Sequence, residues 1–313
     1  MRKNKHVNLT LTAGAIIASL GMATHAQAYD LVKNDNGLTL QMKGDYEIQL
    51  RKRTGEGDSL EMDYDDLEIK FHVSQAFDNG ISAFGVLEAD FKREGDGGAN
   101  KTIDAGFVGL DFGNFEIGFG KTDYATDNFS VEADYEMGPG DGFDQFNDAG
   151  NDLIFGNFGN KTYKVYFSTD LAEEGEEGVK DESSVDLVAQ INVAGLSLAF
   201  GYQDFKEDGN SESIDTVGAR VKGKMGSVGY GIAYTTNDTT DQIDLSLKSK
   251  LGGKLSGAIG FSDVSPAEGD STSYWYANLT HSFSSNVKTF AEIGGNNADD
   301  SETGYLAGLR VRF

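Results

Sequence analysis

The chain has 313 residues but no cysteine and only two prolines. Without cysteine there are no disulfides, so an exported protein of this composition depends on its hydrogen-bonded backbone and on packing. Both prolines, Pro139 and Pro266, fall between segments of regular period, where a missing backbone donor does no harm. After residue 28, no apolar run approaches the length of a membrane-spanning helix.

Basic residues are scarce as well, since 26 lysines and arginines stand against 51 aspartates and glutamates. Nucleic acid is therefore an implausible partner, because phosphate binding requires a basic surface. Glycine, by contrast, is abundant. The 41 glycines are compatible with many turns and curved strands.

The N-terminus has the three parts of an export signal. A basic region precedes an apolar stretch over 7–20, and residues 26–28 read Ala-Gln-Ala, the small residues of a cleavage site. We therefore expect a signal peptide over residues 1–28 and a mature chain over 29–313. Its removal leaves 23 basic against 51 acidic residues, a net charge of −28. A membrane helix over 7–21 is the alternative, but this stretch is short and contains Asn8, Thr10 and Thr12.

Apolar and polar residues alternate along most of the mature chain, which is the period of a β-strand with two different faces. In the clearest example, residues 38–51, only Gly44 interrupts the apolar row. No helical period competes with this pattern, and no change in composition marks a second domain. The alternation predicts an all-β fold of sixteen strands, at or near residues 38–51, 67–74, 83–91, 107, 115–119, 152–155, 163–167, 185–191, 196–202, 217–221, 228–234, 243–247, 255–261, 275–283, 287–293 and 303–313.

The last strand indicates what its two faces touch. Its polar face carries Arg310 and Arg312, and its apolar row consists of Tyr305, Ala307, Leu309, Val311 and Phe313. Because lipid accommodates Phe and Val while a water-filled lumen accommodates arginine, the pattern favours a closed barrel in a membrane. Short connections also alternate with long polar ones, as in outer-membrane barrels. A soluble β-sandwich is the alternative, but the polar rows offer no second apolar layer.

Three segments carry a resemblance to a known family: Gln-Met-Lys-Gly at 41–44, residues 105–121, and residues 304–313. Together with the strand rhythm, they resemble the general, non-specific porins of Gram-negative outer membranes. The resemblance implies a sixteen-stranded antiparallel transmembrane β-barrel, a homotrimer, and a third loop folded into the lumen to form a constriction that passes small hydrophilic solutes. It also implies that Tyr305 and Phe313 belong to a signal read by the outer-membrane assembly machinery.

The segment between Lys121 and Lys161 is the candidate for that loop, because it is the longest segment without alternation. It holds nine carboxylates and no basic residue. A solvated acidic surface loop or a weak divalent-ion site is the alternative reading. On the constriction reading, the acids expected at the pore are Asp127, Glu132, Asp134, Glu136 and Asp141.

General porins place basic residues on the early strands, opposite the acids of this loop. By the resemblance, we expect a basic pore wall made of Lys43, Arg51, Lys70 and Lys121. Lys43 aligns well with the family's first strand, and Lys70 is a looser match. The arginine that the family has after the loop is missing here, where residues 151–154 read Asn-Asp-Leu-Ile. An acidic loop and a thinned basic wall predict a moderate preference for cations.

An outer-membrane enzyme is the rival from another functional class. Only His72 and His281 remain after the signal, and no Gly-x-Ser-x-Gly, His-Glu-x-x-His or phosphate-binding loop is present. We therefore expect no catalytic site, cofactor or metal. The acid pairs at 173–174 and 176–177 suit an exposed loop, either solvated or bridged to lipopolysaccharide by divalent cations, better than catalysis.

A channel specific for sugars is the third possibility, because such pores line the lumen with aromatic side chains. Most tyrosines and phenylalanines lie on the apolar rows, which face lipid in the predicted barrel. Tyr166, Tyr276 and Phe84 are the exceptions, and three are too few to favour a sugar path.

Overall fold

The computed structural model describes residues 28–55, 57–91, 102–143, 149–171, 183–206 and 213–313. Apart from Ala28, the predicted signal peptide lies outside these residues. Within them, no helix has the length and apolar character needed to cross a membrane. The elements are β1 (Tyr29–Lys33), β2 (Leu38–Lys52), β3 (Glu61–Ala76), β4 (Ser82–Asp90), β5 (Thr102–Asp111), β6 (Phe115–Asp123), a 3-10 helix (Ala125–Phe129), β7 (Ala149–Gly159), β8 (Tyr163–Asp170), β9 (Ser183–Val193), β10 (Leu196–Lys206), β11 (Ile214–Met225), β12 (Val228–Thr236), β13 (Thr240–Gly252), β14 (Leu255–Pro266), β15 (Thr272–Ser282), β16 (Val287–Asn296) and β17 (Gly304–Arg312).

From β2 onward, each strand pairs antiparallel with the next, and β17 pairs with β2 to close a barrel. The short β1 pairs with the beginning of β2, on the same edge that β17 uses further along. β1 and β17 therefore share one strand position along the edge of β2, and the barrel has the sixteen strands that the alternation predicts. The sequence did not reveal β1, because its five residues do not alternate.

The seam of the barrel, where β17 pairs with β2, explains why Gly44 interrupts an apolar row. Phe313 exchanges backbone hydrogen bonds of 2.9 and 3.0 Å with Gly44. The ring of Phe313 occupies the space that a side chain at position 44 would need, and it lies 5.6 Å from the ring of Tyr46. The terminal aromatic residue is thus part of the closure.

The two faces of the barrel are inverted relative to a soluble protein. Outward side chains are large and apolar, and Phe200 and Leu245 remain 50% and 42% exposed. Inward side chains include buried polar residues such as Gln203 and Asp244. This arrangement suits a lipid-facing exterior and a polar lumen.

The two rims differ in their connections. At the short-turn rim, consecutive strands are joined by two to five residues, and at the long-loop rim by three to 25 residues. Ala194 and Gly195 make one of the three two-residue short turns, with φ angles of 51° and 82°. Positive φ at both positions is the geometry of a two-residue hairpin turn that matches the twist of the sheet. Residues 124–148 form the longest connection, at the long-loop rim.

Candidate functional site

Residues 124–143 follow β6 and turn into the barrel instead of covering its mouth. The 3-10 helix at the start of this inner loop lies against β8, β9 and β10. A buried network around Asp186 on β9 receives it. The hydrogen bonds join Tyr124 Oη to Asp170 (3.3 Å), Ala125 N to Ser168 Oγ (2.7 Å), Thr126 Oγ1 to Asp186 (3.2 Å) and Gln203 Nε2 to Asp186 (2.9 Å).

Arg220 on β11 holds the end of the 3-10 helix. One guanidinium nitrogen donates to the carbonyl oxygens of Asn128, Phe129 and Ser130, at 2.7, 2.8 and 3.2 Å. The other donates to Gln190 Oε1 at 2.7 Å. Helix-end carbonyls lack partners within the helix, so this buried arginine satisfies acceptors that would otherwise be stranded.

Two aromatic side chains anchor the inner loop to the wall. The rings of Phe129 and Phe143 meet edge to face at 4.9 Å and pack with Val188 in one buried cluster. Gly201 and Gly218 lie beneath them, and a side chain at either glycine would collide with these rings. The two glycines on inward rows therefore make room for the loop.

Glu292 on β16 binds the tip of the inner loop. Its carboxylate accepts three backbone N–H bonds, from Tyr135 and Glu136 at 2.8 Å and from Met137 at 3.0 Å. The side-chain amide of Asn278 adds a fourth, at 3.0 Å. Glu292 is only 1% exposed, and burial of a carboxylate is tolerable because its oxygens are fully hydrogen-bonded.

Aromatic contacts reinforce the same tip. Tyr135 stacks on Phe290 with the ring centroids 3.9 Å apart, and its hydroxyl hydrogen-bonds Thr280 at 2.7 Å. The Lys288 ammonium lies 4.8 Å from the centroid of the Tyr135 ring, within cation–π range. The tip is thus held by charge, stacking and hydrogen bonds together.

Glu136 is the one predicted acid that meets a predicted base. Its carboxylate accepts from Arg51 Nη1 at 2.5 Å and from Gln49 Nε2 at 3.2 Å. Since both partners lie on β2, the inner loop reaches from β8 past β16 to the strand beyond the seam. It therefore lines one side of the barrel, and the remaining lumen lies between it and β3 to β6.

The other predicted acids have different surroundings. Three of them bond within the loop or to the adjacent wall, whereas Asp127 is exposed. Glu132 contacts the Ser130 hydroxyl and the Asp244 carboxyl, Asp134 accepts from Gly138 N (2.7 Å), and Asp141 accepts from Phe143 N (2.8 Å). Most loop acids thus help to hold the loop in place.

Asp134 is the loop acid with the clearest change in ionisation. Burial raises its pKa to about 6, and the neighbouring Glu292 carboxylate adds to the rise. The hydrogen bond from Gly138 N acts in the opposite direction. Part of the loop's negative charge is therefore lost in mildly acidic solution.

The predicted basic wall is only partly assembled. Lys43 and Lys70 are neighbours in register on the inward rows of β2 and β3, and Lys70 forms an ion pair with Glu88. Lys121 departs from the prediction. It is two residues beyond Phe119, whose 49% exposed side chain faces outward, and it pairs with Gly106 on the same outward row. The register shift between β6 and β7 falls between Gly120 and Thr122, so Lys121 lies within it.

Arg220, Glu292 and Asp244 are site residues that the sequence prediction missed. Alternation places each of them on an inward row, so the signal of their orientation was present. Alternation carries no information on which distant segment such a residue binds.

Comparisons with known proteins agree with this geometry. A family model described as Gram-negative porin matches residues 10–301. Porin-like protein H of Photobacterium profundum is 27% identical over 344 residues, covering 97% of this chain and 99% of that protein. Among solved structures, a loop L8 deletion mutant of OmpT from Vibrio cholerae has a TM-score of 0.75 at 14% identity, covering 88% of this chain and all of that one. An anion-selective porin from Comamonas acidovorans has a TM-score of 0.75 at 15% identity, with the same coverage. At these identities the solved structures support the fold alone.

Proposed function

The chain belongs to the Gram-negative porin family and is an outer-membrane diffusion channel, and we propose that it passes small hydrophilic solutes and ions with a moderate preference for cations. The observation that carries the proposal is the inner loop, residues 124–143, which enters a closed barrel with a polar lumen. A loop anchored along one wall narrows the path without filling it. We also propose that residues 1–28 are a signal peptide that is removed on export.

The cation preference follows from the excess of acid. Two carboxylates about 7 Å from a passing ion contribute roughly 0.6 kcal/mol each at a water-like dielectric, which enriches cations several-fold. Three of the five predicted loop acids bond to the loop or its wall, and Glu136 is neutralised by Arg51. The preference should therefore be moderate, and salt should weaken it, since the Debye length is about 8 Å at physiological ionic strength.

A planar bilayer with asymmetric potassium chloride tests both parts of the proposal. We expect stepwise conductance increases and a reversal potential whose sign shows that potassium permeates more readily than chloride. Asp127→Asn, at the exposed loop acid, should shift that potential toward anions, whereas Asp238→Asn in a distant connection should shift it less. An absence of conductance steps would overturn the channel, and an anion-type reversal potential would overturn the preference.

The rival functions gain no support from the placement of their residues. His72 lies on an inward row, whereas His281 faces outward against Phe283 at 4.7 Å, so the two histidines do not converge. The inward rows hold more aromatics than the sequence predicts, since Phe155, Phe205 and Phe290 are also buried there. Of the three predicted ones, Tyr276 is occupied as a hydrogen-bond acceptor for Ala133 N at 2.8 Å. The remaining two pack on other rings, Phe84 on Phe107 and Tyr166 in the Phe129 cluster.

Partners are also proposals. A trimer form of OmpT from Vibrio cholerae is among the structural neighbours, which supports a homotrimer here. Lipopolysaccharide bridging by the acids at 173–177 falls outside the described residues. The assembly signal rests on Tyr305 and Phe313, and deletion of Phe313 should leave unfolded chain in the periplasm. Normal surface levels and heat-modifiable mobility of that deletion would count against it.

A further inference from the structure

Charge is segregated along the barrel axis in strands β11 to β17. The sequence of this region alternates between stretches with only basic charges and stretches with only acidic charges. The basic stretches are 216–237, 245–262, 271–291 and 303–313, and the acidic ones are 238–244, 263–270 and 292–302. Since all of these residues are described, each stretch can be placed on the barrel.

Every basic stretch contains a short turn or the end of β17, and every acidic stretch overlaps a connection at the long-loop rim. The hairpin turns of β11–β12, β13–β14 and β15–β16, together with the end of β17, lie within the basic stretches. The connections β12–β13, β14–β15 and β16–β17 overlap the acidic ones, each by all but one residue. In an outer-membrane barrel the short turns are periplasmic, so the bases are on the periplasmic side.

Most of these bases face the lumen. The register aligns their rows with the inward row of Arg220, which contacts the inner loop. The basic residues on inward rows are Arg220, Lys222, Lys224, Lys248, Lys250, Lys288, Arg310 and Arg312. Lys254 is the exception and lies in a turn.

Ion pairs cancel only part of this charge. Arg310 and Arg312 pair with acids that include Asp45 on β2. In the described part of the chain, the salt bridges do not include Lys224, Lys248 or Lys288. Lys224 and Lys248 are also exposed. The periplasmic half of this wall therefore carries net positive charge beneath an acidic inner loop.

The opposite wall does not reverse this arrangement. Near the periplasmic rim of β5, β6 and β8, Asp111 and Glu116 lie close to Lys164, which leaves an excess of one acid there. At the extracellular end of β3, Asp63 pairs with Arg51 and Arg53. The strongest axial contrast is thus the one along β11 to β17.

We propose that the lumen is two oppositely charged segments in series, acidic outside and basic inside, and that this order makes the channel rectify. The proposal rests on the channel function above. The outer segment concentrates cations and the inner segment concentrates anions. When the outside is positive, both kinds of ion are driven toward the middle of the pore and accumulate there, so conductance is high. The opposite voltage depletes both segments and lowers the conductance.

Rectification is measured as the ratio of currents at equal and opposite voltages in symmetric potassium chloride. We expect about a twofold ratio at 0.05 M salt, where the Debye length exceeds about 10 Å, and a ratio near one at 1 M, where it is about 3 Å. Orientation is read from a Thr239→Cys variant, since the chain has no other cysteine. After biotinylation, streptavidin should reduce the current only from the side that the extracellular rim faces.

A pair of matched double variants assigns the effect to inward lysines. Lys224→Glu with Lys248→Glu reverses two exposed inward charges and should bring the low-salt ratio close to one while making the channel more selective for cations. Lys161→Glu with Lys254→Glu makes the same charge change in two turns at the same rim. This control should keep most of the difference between the currents at opposite voltages. Heat-modifiable mobility checks that each variant folds. If the variant with Lys224→Glu and Lys248→Glu does not fold, Lys224→Gln with Lys248→Gln takes its place.

The outcomes separate this inference from the proposed function. A channel with equal currents at both voltages at 0.05 M salt would overturn rectification and leave the channel standing. A ratio that survives the inward substitutions but falls with the turn substitutions would also overturn it. If no conductance is seen at all, the proposed function itself fails.

Discussion

Inward charged residues have different roles on the part of the barrel wall that the inner loop covers and on the part that it leaves open. Where the inner loop lies, inward charges bind its backbone, as Glu292 binds three N–H groups and Arg220 binds three carbonyls. On β2 to β4, inward charges instead pair between strands, as Lys70 pairs with Glu88. An inward charge is thus a loop anchor where the loop lies, and it is a pore charge only where the wall is open to water.

The largest test of this comparison is Glu292→Ala. The substitution leaves several buried N–H donors without an acceptor, and each costs about 1 to 3 kcal/mol when unsatisfied. We expect the loop tip to lose at least about 3 kcal/mol of attachment. Single-channel conductance should rise and become noisy, and the temperature of heat-modifiable unfolding should fall.

Glu88→Gln is the control on the open side. It weakens an ion pair with Lys70, whose side chain is 39% exposed, so the expected cost is about 1 kcal/mol or less. If the two substitutions change conductance noise and unfolding equally, the distinction between anchors and pore charges fails.

Arg220→Met is the next test, on β11, where the inner loop also covers the wall. It removes a charged donor from three loop carbonyls, and hydrogen bonds to charged groups contribute about 1.5 to 3 kcal/mol. We expect about 2 kcal/mol of destabilisation and a looser 3-10 helix, measured by denaturant unfolding in detergent. Lys224→Met, on the same strand but exposed, should change stability by less than about 0.5 kcal/mol. Equal losses would contradict the anchoring role.

The strands could be predicted from sequence because alternation is a local property. Apolar and polar residues alternate within a few residues of each strand. The number of strands and the apolar row of β17 can therefore be predicted directly. The short β1 lacks that signal. Gly44 looked like a simple interruption because the ring that fills its place comes from the far end of the chain.

The course of the inner loop could not be predicted in the same way. Its anchors are remote in sequence, since Tyr135 and Glu292 are 157 residues apart. The nine acids between Lys121 and Lys161 look alike in the sequence, and only the packing separates Glu136, which meets Arg51, from Asp141, which binds within the loop. Composition predicts the acidity of this segment but not which charges water can reach.

Arg51 on β2 and Glu136 of the inner loop form an ion pair, which provides a smaller test. A double-mutant cycle with Arg51→Gln and Glu136→Gln should give a coupling of about 0.5 to 1 kcal/mol, because the pair is partly buried but borders water. Glu136→Gln alone should move the reversal potential toward anions at low salt. A coupling of zero would mean that this pair does not help to hold the tip, which would then be held by Glu292 and the contacts of Tyr135.

The smallest effect concerns the pH dependence of the tip. Because the docked loop raises the pKa of Asp134 from 3.8 to about 6, docking favours the protonated carboxyl. The associated stability is fully present below about pH 4, the ordinary pKa, and is lost as pH rises through 6. Asp134→Asn imitates the protonated form and keeps an oxygen for Gly138 N. After allowance for screening by lumen water, we expect the variant to match the wild type at pH 4 and to unfold about 2 to 4 °C higher at pH 7.5. A constant difference across this range would mean that Asp134 does not change its ionisation on docking, and any pH dependence of the tip would then have to come from the barrel residues that contact it.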